Sequence, residues 1–287
     1  MSEESHRPGR IVAVLGHGVV PAHAPVLRAD DLGAMRGDGI FETMHVRGGA
    51  AWLIGAHLDR MAASAARLDL DLPDAEILSG LAMQALAAWP ADAEGALRMV
   101  CTRGPEGGGP VSVYATVAPV SEVVLRNRRQ GITVVTASIG FAADARQRAP
   151  WLLGGAKTLS YAVNMASQRW ALANGVDDVL WTSSDGYALE GPTSTLVWLD
   201  GRSLCTVPAE TTGILAGTTA RHLLDRAAEL GLVAEERMAT PATLTDVDGV
   251  WFTSSVRGVA EVTAIDDVKL LPSDMTRAIR ELLGFAA

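Results

Sequence analysis

The stretch WLLGGAKTLSYAVNMASQRWALANG (residues 151–175) places a lysine, Lys157, between two apolar flanks, with Gly154-Gly155 before it and a helix-like run behind it. Of 24 basic residues only Lys157 and Lys269 are lysine; the rest are arginine. Arginine stays protonated and cannot attack a carbonyl, whereas a desolvated lysine amine can lose its proton and form a Schiff base. The ordinary alternative is a helix-start lysine in a chain whose base composition favours arginine. A phosphate loop is excluded, because it needs glycine directly before the lysine and again five residues earlier. Ala156 and Trp151 stand there.

Outward from this stretch, residues 158–173 read as a helix, with Leu159, Ala162, Val163, Ala166 and Trp170 on one face and Asn174-Gly175 as the stop. Upstream, IVAVL and IFETMHV read as strands, the second entered through Gly37-Asp38-Gly39. Helices are expected at 55–72 and 74–89, and a hairpin at 96–118 with the glycine-rich tip RGPEGGGP. SEVVLRNRRQG (121–131) reads as the domain boundary, giving domains 1–120 and 131–287 with a linker at 121–130. Downstream come hairpins turning at Ser184-Asp185-Gly186 and Asp200-Gly201, a helix over 219–230, the strand GVWFTS (249–254) and a terminal helix. Strands and helices mix without a βαβ rhythm, so the class is α/β (α+β) and not a doubly wound sheet.

The formal net charge of −9 argues against a nucleic-acid surface. Cys101 and Cys205 are far apart and read as buried small hydrophobes. The six histidines form no metal-binding spacing. The polar start MSEESHRPGR lacks the apolar core of a secretion signal, and Ile11–Leu27 is short and broken for a membrane span. A cytoplasmic protein without membrane partners is expected.

Three further motifs bear on chemistry. Glu190 in LEGPTST closes a strand before a Gly-Pro turn. Gly217-Thr218-Thr219 open a helix, where free backbone N–H groups and hydroxyls make an anion cradle. Thr253, Ser254 and Ser255 put three hydroxyls at a strand end. Each also has a structural reading: a solvent-facing strand end, an N-cap, turn residues.

Taken in order, GDGIFET (37–43), HLDRM (57–61), the Lys157 stretch, LEGPTST, ILAGTTARHLL and TSSVRGVAEV resemble the class IV aminotransferases, the fold type IV enzymes dependent on pyridoxal phosphate. The resemblance implies a smaller N-terminal α/β domain and a larger, pseudo-barrel-like C-terminal domain with the cofactor in the cleft, usually in a homodimer. It implies Lys157 as the Schiff-base lysine and proton carrier, and Glu190 as the acid on the pyridine nitrogen. Arg60 becomes the phosphate clamp; Gly217, Thr218, Thr219, Ser254 and Ser255 the phosphate loops; Thr193 a pocket hydroxyl. Arg36, Phe41, Glu42 and Arg103 are implied near the substrate, a small-molecule amine. Thr195 stands where the family usually has asparagine, Leu32 where an arginine is common, and Arg36 at a usually aromatic place. D-amino acid transaminases of the family carry an Arg-x-His carboxylate trap in the hairpin tip, which TRGPEGGGPVS lacks. The tip and the FET triplet look more like 4-amino-4-deoxychorismate lyases, which release 4-aminobenzoate and pyruvate; a D-amino acid or branched-chain aminotransferase is the alternative.

Overall fold

The computed structural model describes residues 8–285. The start MSEESHR, read above for a targeting signal, lies outside the described residues. Among those described, no helix is long and apolar enough to cross a membrane. The chain forms two compact units. The first comprises the described residues through Ser121 together with Ala156–Ser160; the second comprises Glu122–Gly155 and the described residues from Tyr161 on.

The first unit holds Ile11–Val14 (β1), Gly18–Val20 (β2), Leu32–Arg36 (α1), Gly39–Arg47 (β3), Ala50–Ala51 (β4), Ile54–Leu68 (α2), Ala75–Ala87 (α3), Gly95–Thr102 (β5) and Ser112–Pro119 (β6). Its six strands pair antiparallel in the order β2-β1-β6-β5-β3-β4. The two-residue period sends Ile40, Met44, Val46, Leu97, Met99, Ala115 and Val117 into one core with Leu58, Met61 and Ala65 of α2 and Leu78 and Leu81 of α3. Burying each large side chain stabilises the unit by about 1.5–3 kcal/mol. Glu42 falls on the same face of β3 as Ile40 and Met44 and is fully buried. A carboxylate there is tolerated only with charged partners.

The second unit continues with Glu122–Gln130 (α4), Ile132–Ser138 (β7), Ala145–Arg148 (α5), Ala162–Ala173 (α6), Asp178–Thr182 (β8), Glu190–Gly191 (β9), Ser194–Asp200 (β10), Ser203–Thr206 (β11), Ala209–Thr212 (α7), Thr218–Asp225 (α8), Val233–Glu236 (β12), Pro241–Leu244 (α9), Gly249–Ser254 (β13), Gly258–Ile265 (β14), Val268–Lys269 (β15) and Met275–Leu282 (α10). Its sheet runs β12-β11-β10-β13-β14-β7-β8, with β9 on β10 and β15 on β14. Leu196, Trp198, Cys205, Val250 and Phe252 anchor its core.

Three stretches depart from the sequence reading. Residues 122–130, read as a linker, form α4, with Glu122 in the first turn and Arg128 and Arg129 in the last, as the helix dipole favours. The helix expected from residue 158 begins at Ala162, because Lys157–Leu159 is extended against β3. On that helix Val163, Ala166 and Trp170 are exposed and only Ala171 is buried. The helix expected over 219–230 is α8 followed, after Arg226, by a separate 3-10 turn at Ala227–Leu230. β7 and β8 run parallel and are joined by a long connection containing α6, and β11 and β12 run parallel and are joined through α7 and α8; β14 also pairs parallel with β7, so crossovers interrupt a mostly antiparallel sheet.

Candidate active site

In the first unit the Lys157 segment is laid on the open edge of β3. The Phe41 N–H donates to the Lys157 carbonyl at 3.0 Å, and the Leu159 N–H to the Gly39 carbonyl at 2.8 Å. Two glycines of the GDG triplet permit this approach. A Cβ on Gly39 would stand 2.6 Å from the Cys101 carbonyl and 2.8 Å from Leu159 Cδ1. A Cβ on Gly37 would meet Ser160 Oγ at 2.7 Å, and its φ of +70° closes α1 in the left-handed region. On its other side the Lys157 N–H donates to Ser64 Oγ at 3.1 Å. The Lys157 Nζ stands 4.5 Å from the centroid of the Phe41 ring, and the Arg98 guanidinium lies 5.4 Å from the same ring.

Behind this edge, the Glu42 carboxylate takes Arg60 Nε on Oε1 at 2.7 Å and Arg60 Nη2 on Oε2 at 2.8 Å, while His57 Nδ1 meets Oε2 at 2.7 Å. Burial alone would raise the Glu42 carboxyl. The Arg60 charge, the hydrogen bonds from His57 and Arg60 and the charge interaction with His57 outweigh it and hold the carboxyl at about 2. Burial lowers the His57 pKa; its contacts with Glu42 oppose this, and the nearby charges of Arg60 and Lys157 add to the lowering. An ionised Glu42 can only accept, so a neutral His57 carries its proton on Nδ1 and donates.

In the second unit, Glu190 pairs with Thr195 across β9 and β10 and is 8% exposed. Its Oε1 accepts from Arg146 Nη1 at 3.2 Å and its Oε2 from the Leu215 N–H at 3.2 Å. Arg146 also donates to the Gly213 carbonyl at 3.2 Å and lies over Phe141. Its seat is tight: a Cβ on Gly213 or Gly154 would meet Arg146 Cβ at 2.6 or 2.8 Å.

Gly217 is the N-cap of α8 and carries no side-chain cap bond. Its backbone lies against Thr195, which a Cβ would strike. Thr218 and Thr219 form the first turn and are buried, and Thr219 Oγ1 has no hydrogen-bond partner among the described residues. Thr253 pairs with Thr195 across β10 and β13 and donates to its carbonyl at 3.4 Å. Ser254 ends β13, and the buried Ser255 begins the turn into β14. Arg128 fixes that turn by donating to the Val256 and Arg257 carbonyls at 2.6 and 3.2 Å, and a buried Arg257–Asp178 pair at 2.8 Å anchors it. Thr193 Oγ1 accepts from Gln168 Nε2 at 3.1 Å.

The structure thus gathers Phe41, Glu42, Arg60 and Lys157 in the first unit, and places Gly217 and Thr253 against Thr195, the strand partner of Glu190, in the second. Glu42 is inaccessible and serves Arg60, so it presents no carboxylate to a substrate. Arg103 binds Asp38 at 2.6 Å and caps α2 through the Leu68 and Asp69 carbonyls. Arg36 is two-thirds exposed, with Glu106 at 3.8 Å. Burial raises both thiols, Cys101 to about 12, which keeps them unreactive at neutral pH. Sequence reasoning missed His57, Ser64, Arg98 and Arg146. The first two were findable, since His57, Arg60 and Ser64 recur at helical spacing on one face of α2. Arg146 lies 44 residues from Glu190 and carries no local signal.

The model of the family described as amino-transferase class IV matches residues 39–265. A bifunctional aminodeoxychorismate lyase / D-amino acid transaminase of Mycobacterium tuberculosis is 40% identical over 285 residues, covering 96% of this chain and 98% of that protein. A solved structure described as a hypothetical aminotransferase from Mycobacterium tuberculosis, in its PLP-bound form, superposes with a TM-score of 0.92 at 40% identity, covering 96% of this chain and 97% of that one. A fold IV transaminase from Curtobacterium pusillum gives a TM-score of 0.89 at 36% identity, over 96% of this chain and 99% of that one. With most of its length matched, from the GDG strand that seats Lys157 to the strand after the Ser255 turn, the chain belongs to the class IV aminotransferase family.

Proposed function

We propose that this chain is a pyridoxal-phosphate-dependent 4-amino-4-deoxychorismate lyase that gives 4-aminobenzoate and pyruvate. The observation that carries the reading is the placement of Lys157: its backbone is held on both sides and its amine lies over an aromatic face. The residues fit the cofactor. A buried Thr219 hydroxyl without a partner among the described residues, at an uncapped helix N-terminus, suits a phosphate oxygen. Thr218, Gly217, Ser254 and Ser255 add donors from the same sheet end of the second unit; in the first unit, Arg60 is a cation fixed in plane by Glu42.

Bound there, pyridoxal phosphate supplies an aldehyde that condenses with primary amines and a ring that withdraws electrons from the carbon bearing the nitrogen. Glu190, oriented by Arg146 and the Leu215 N–H, would be the partner for the pyridine nitrogen. Lys157 would be the amine that holds the cofactor and the group that moves the proton at the reacting carbon. Arg98, exposed beside Phe41, offers a cation to a substrate carboxylate.

The hairpin tip favours the lyase. Its arginine, Arg103, is committed to Asp38 and α2, and the tip holds no histidine, so the Arg-x-His trap is missing. D-amino acid transamination is the second reading, favoured by the double name of the 40%-identical relative. Aminodeoxychorismate supplied alone to the purified, cofactor-loaded protein should yield 4-aminobenzoate and pyruvate with no keto acid present. No product, alongside turnover of D-alanine with 2-oxoglutarate, would give the assignment to the transaminase.

We also infer a homodimer. Trp151 (78% exposed), Val163 (68%), Trp170 (49%) and Leu172 (58%) are large apolar side chains on the surface of one unit, a pattern that marks association surfaces.

A further inference from the structure

Ser64 stands in the middle of α2 within the alanine-rich run MAASAARL and is 1% exposed. Helix propensity favours alanine there, and a serine in a helix interior usually spends its hydroxyl on the carbonyl four residues back. Ser64 does so, donating to the Arg60 carbonyl at 2.9 Å. That use of its one proton leaves the oxygen lone pairs for a donor from elsewhere. The donor is the Lys157 N–H, 93 residues away in sequence, at 3.1 Å. The Phe41 N–H holds the Lys157 carbonyl from the other side. The two peptide groups flanking the Lys157 Cα are therefore tied to different elements, one to the α2 turn that carries Arg60 and one to the edge of β3.

We propose that Ser64 is a positioning residue for Lys157: its hydroxyl fixes the peptide from which the reactive amine departs and registers it against the turn bearing Arg60. The proposal rests on the reading of Lys157 as the cofactor lysine. A lysine side chain has four rotatable bonds, so without a fixed peptide its amine samples a wider volume, and misplacement by an ångström costs rate steeply.

Two measurements test this. In the wild-type protein without added cofactor, the Lys157 amide should be strongly protected from hydrogen exchange; exchange at the rate of an open loop would overturn the proposal, whatever the protein's activity. With pyridoxal phosphate added, Ser64→Ala should form the borohydride-fixable link at Lys157 roughly tenfold more slowly than wild type and show a shifted pH midpoint of the visible band. Its kcat should fall by a similar factor with KM changed less than about twofold. Ser64→Thr, which keeps the hydroxyl, should recover most of the linking rate. A Ser64→Ala protein that links and turns over like wild type overturns the proposal while leaving the functional reading intact. A wild type that forms no link at Lys157 overturns both.

Discussion

Glu42 and Arg60 meet edge to edge, each carboxylate oxygen facing one guanidinium nitrogen at 2.7 and 2.8 Å, with the carboxylate wholly buried. A bidentate pair of this kind fixes the guanidinium plane, which a single contact cannot do. The same strand that seats Lys157 through its backbone thus orients Arg60 through a side chain.

Breaking this pair leaves an uncompensated charge in the core. Glu42→Ala is expected to destabilise the first unit by about 3–5 kcal/mol. Urea unfolding followed by tryptophan fluorescence measures it; a loss below about 1 kcal/mol would mean the pair is idle.

The pair also sets a pH response. Glu42 is held at about 2, below its ordinary 4.5, so its stabilising contribution is complete above pH 4.5 and disappears as the pH falls toward 2. That contribution is of order 3 kcal/mol. His57 acts in the same direction: its pKa is lowered below 6.5, so acidification through that value favours the unfolded chain, which binds the proton more readily. Stability measured between pH 7 and pH 3 should therefore fall with acid, and Glu42→Gln should flatten the part of the curve below pH 4.5. An unchanged slope in that variant would assign acid sensitivity to other groups.

Arg146 holds Glu190 on one side and the Gly213 carbonyl on the other. Arg146→Leu is expected to lower kcat roughly 10–100-fold while the protein stays folded, because Glu190 loses its charged partner and keeps the Leu215 N–H. Steady-state kinetics with circular dichroism separates this from unfolding. Gly213→Ala should act on the same seat, combining a clash with Arg146 and a φ of +65°, and should cost about 1–3 kcal/mol.

Trp170→Glu places a charge on the exposed face of α6. Sedimentation velocity is expected to find the wild type as a dimer and the variant shifted toward monomer, with its near-ultraviolet circular dichroism retained. A wild type that sediments as a monomer at micromolar concentration contradicts the inferred association.

Much of the site was legible because chemistry and local backbone rules coincide there. Gly37-Asp38-Gly39 announces a strand entry where side chains are excluded, and the structure lays the Lys157 segment on that strand. The apolar flanks of Lys157 read as a helix face from residue 158, yet pairing with β3 holds Lys157–Leu159 extended, and the apolar residues beyond point outward. Periodicity cannot tell a face turned to the core from one turned to a partner. Glu42 read as a residue near the substrate because its triplet sits beside the site; the two-residue period of β3 instead aims it into the core, where Arg60, His57 and the Thr43 N–H satisfy it. The charged stretch 121–130 read as a linker because its few apolar residues suggest a solvated connection, whereas packing on β14 stabilises it as a helix. Arg146 depends on tertiary approach and leaves no spacing to read, whereas Ser64 shares a helical face with His57 and Arg60 and only its bond to Lys157 waits on tertiary approach.

The chemistry turns on which amine meets the cofactor. With two lysines in the chain, reduction of the pyridoxal-phosphate-loaded protein with borohydride, followed by peptide mass mapping, gives a direct answer. The predicted result is one pyridoxyl group per chain, on Lys157, and none in Lys157→Ala. A pyridoxyl group on Lys269, or a Lys157→Ala protein that keeps its colour and full turnover, would contradict it.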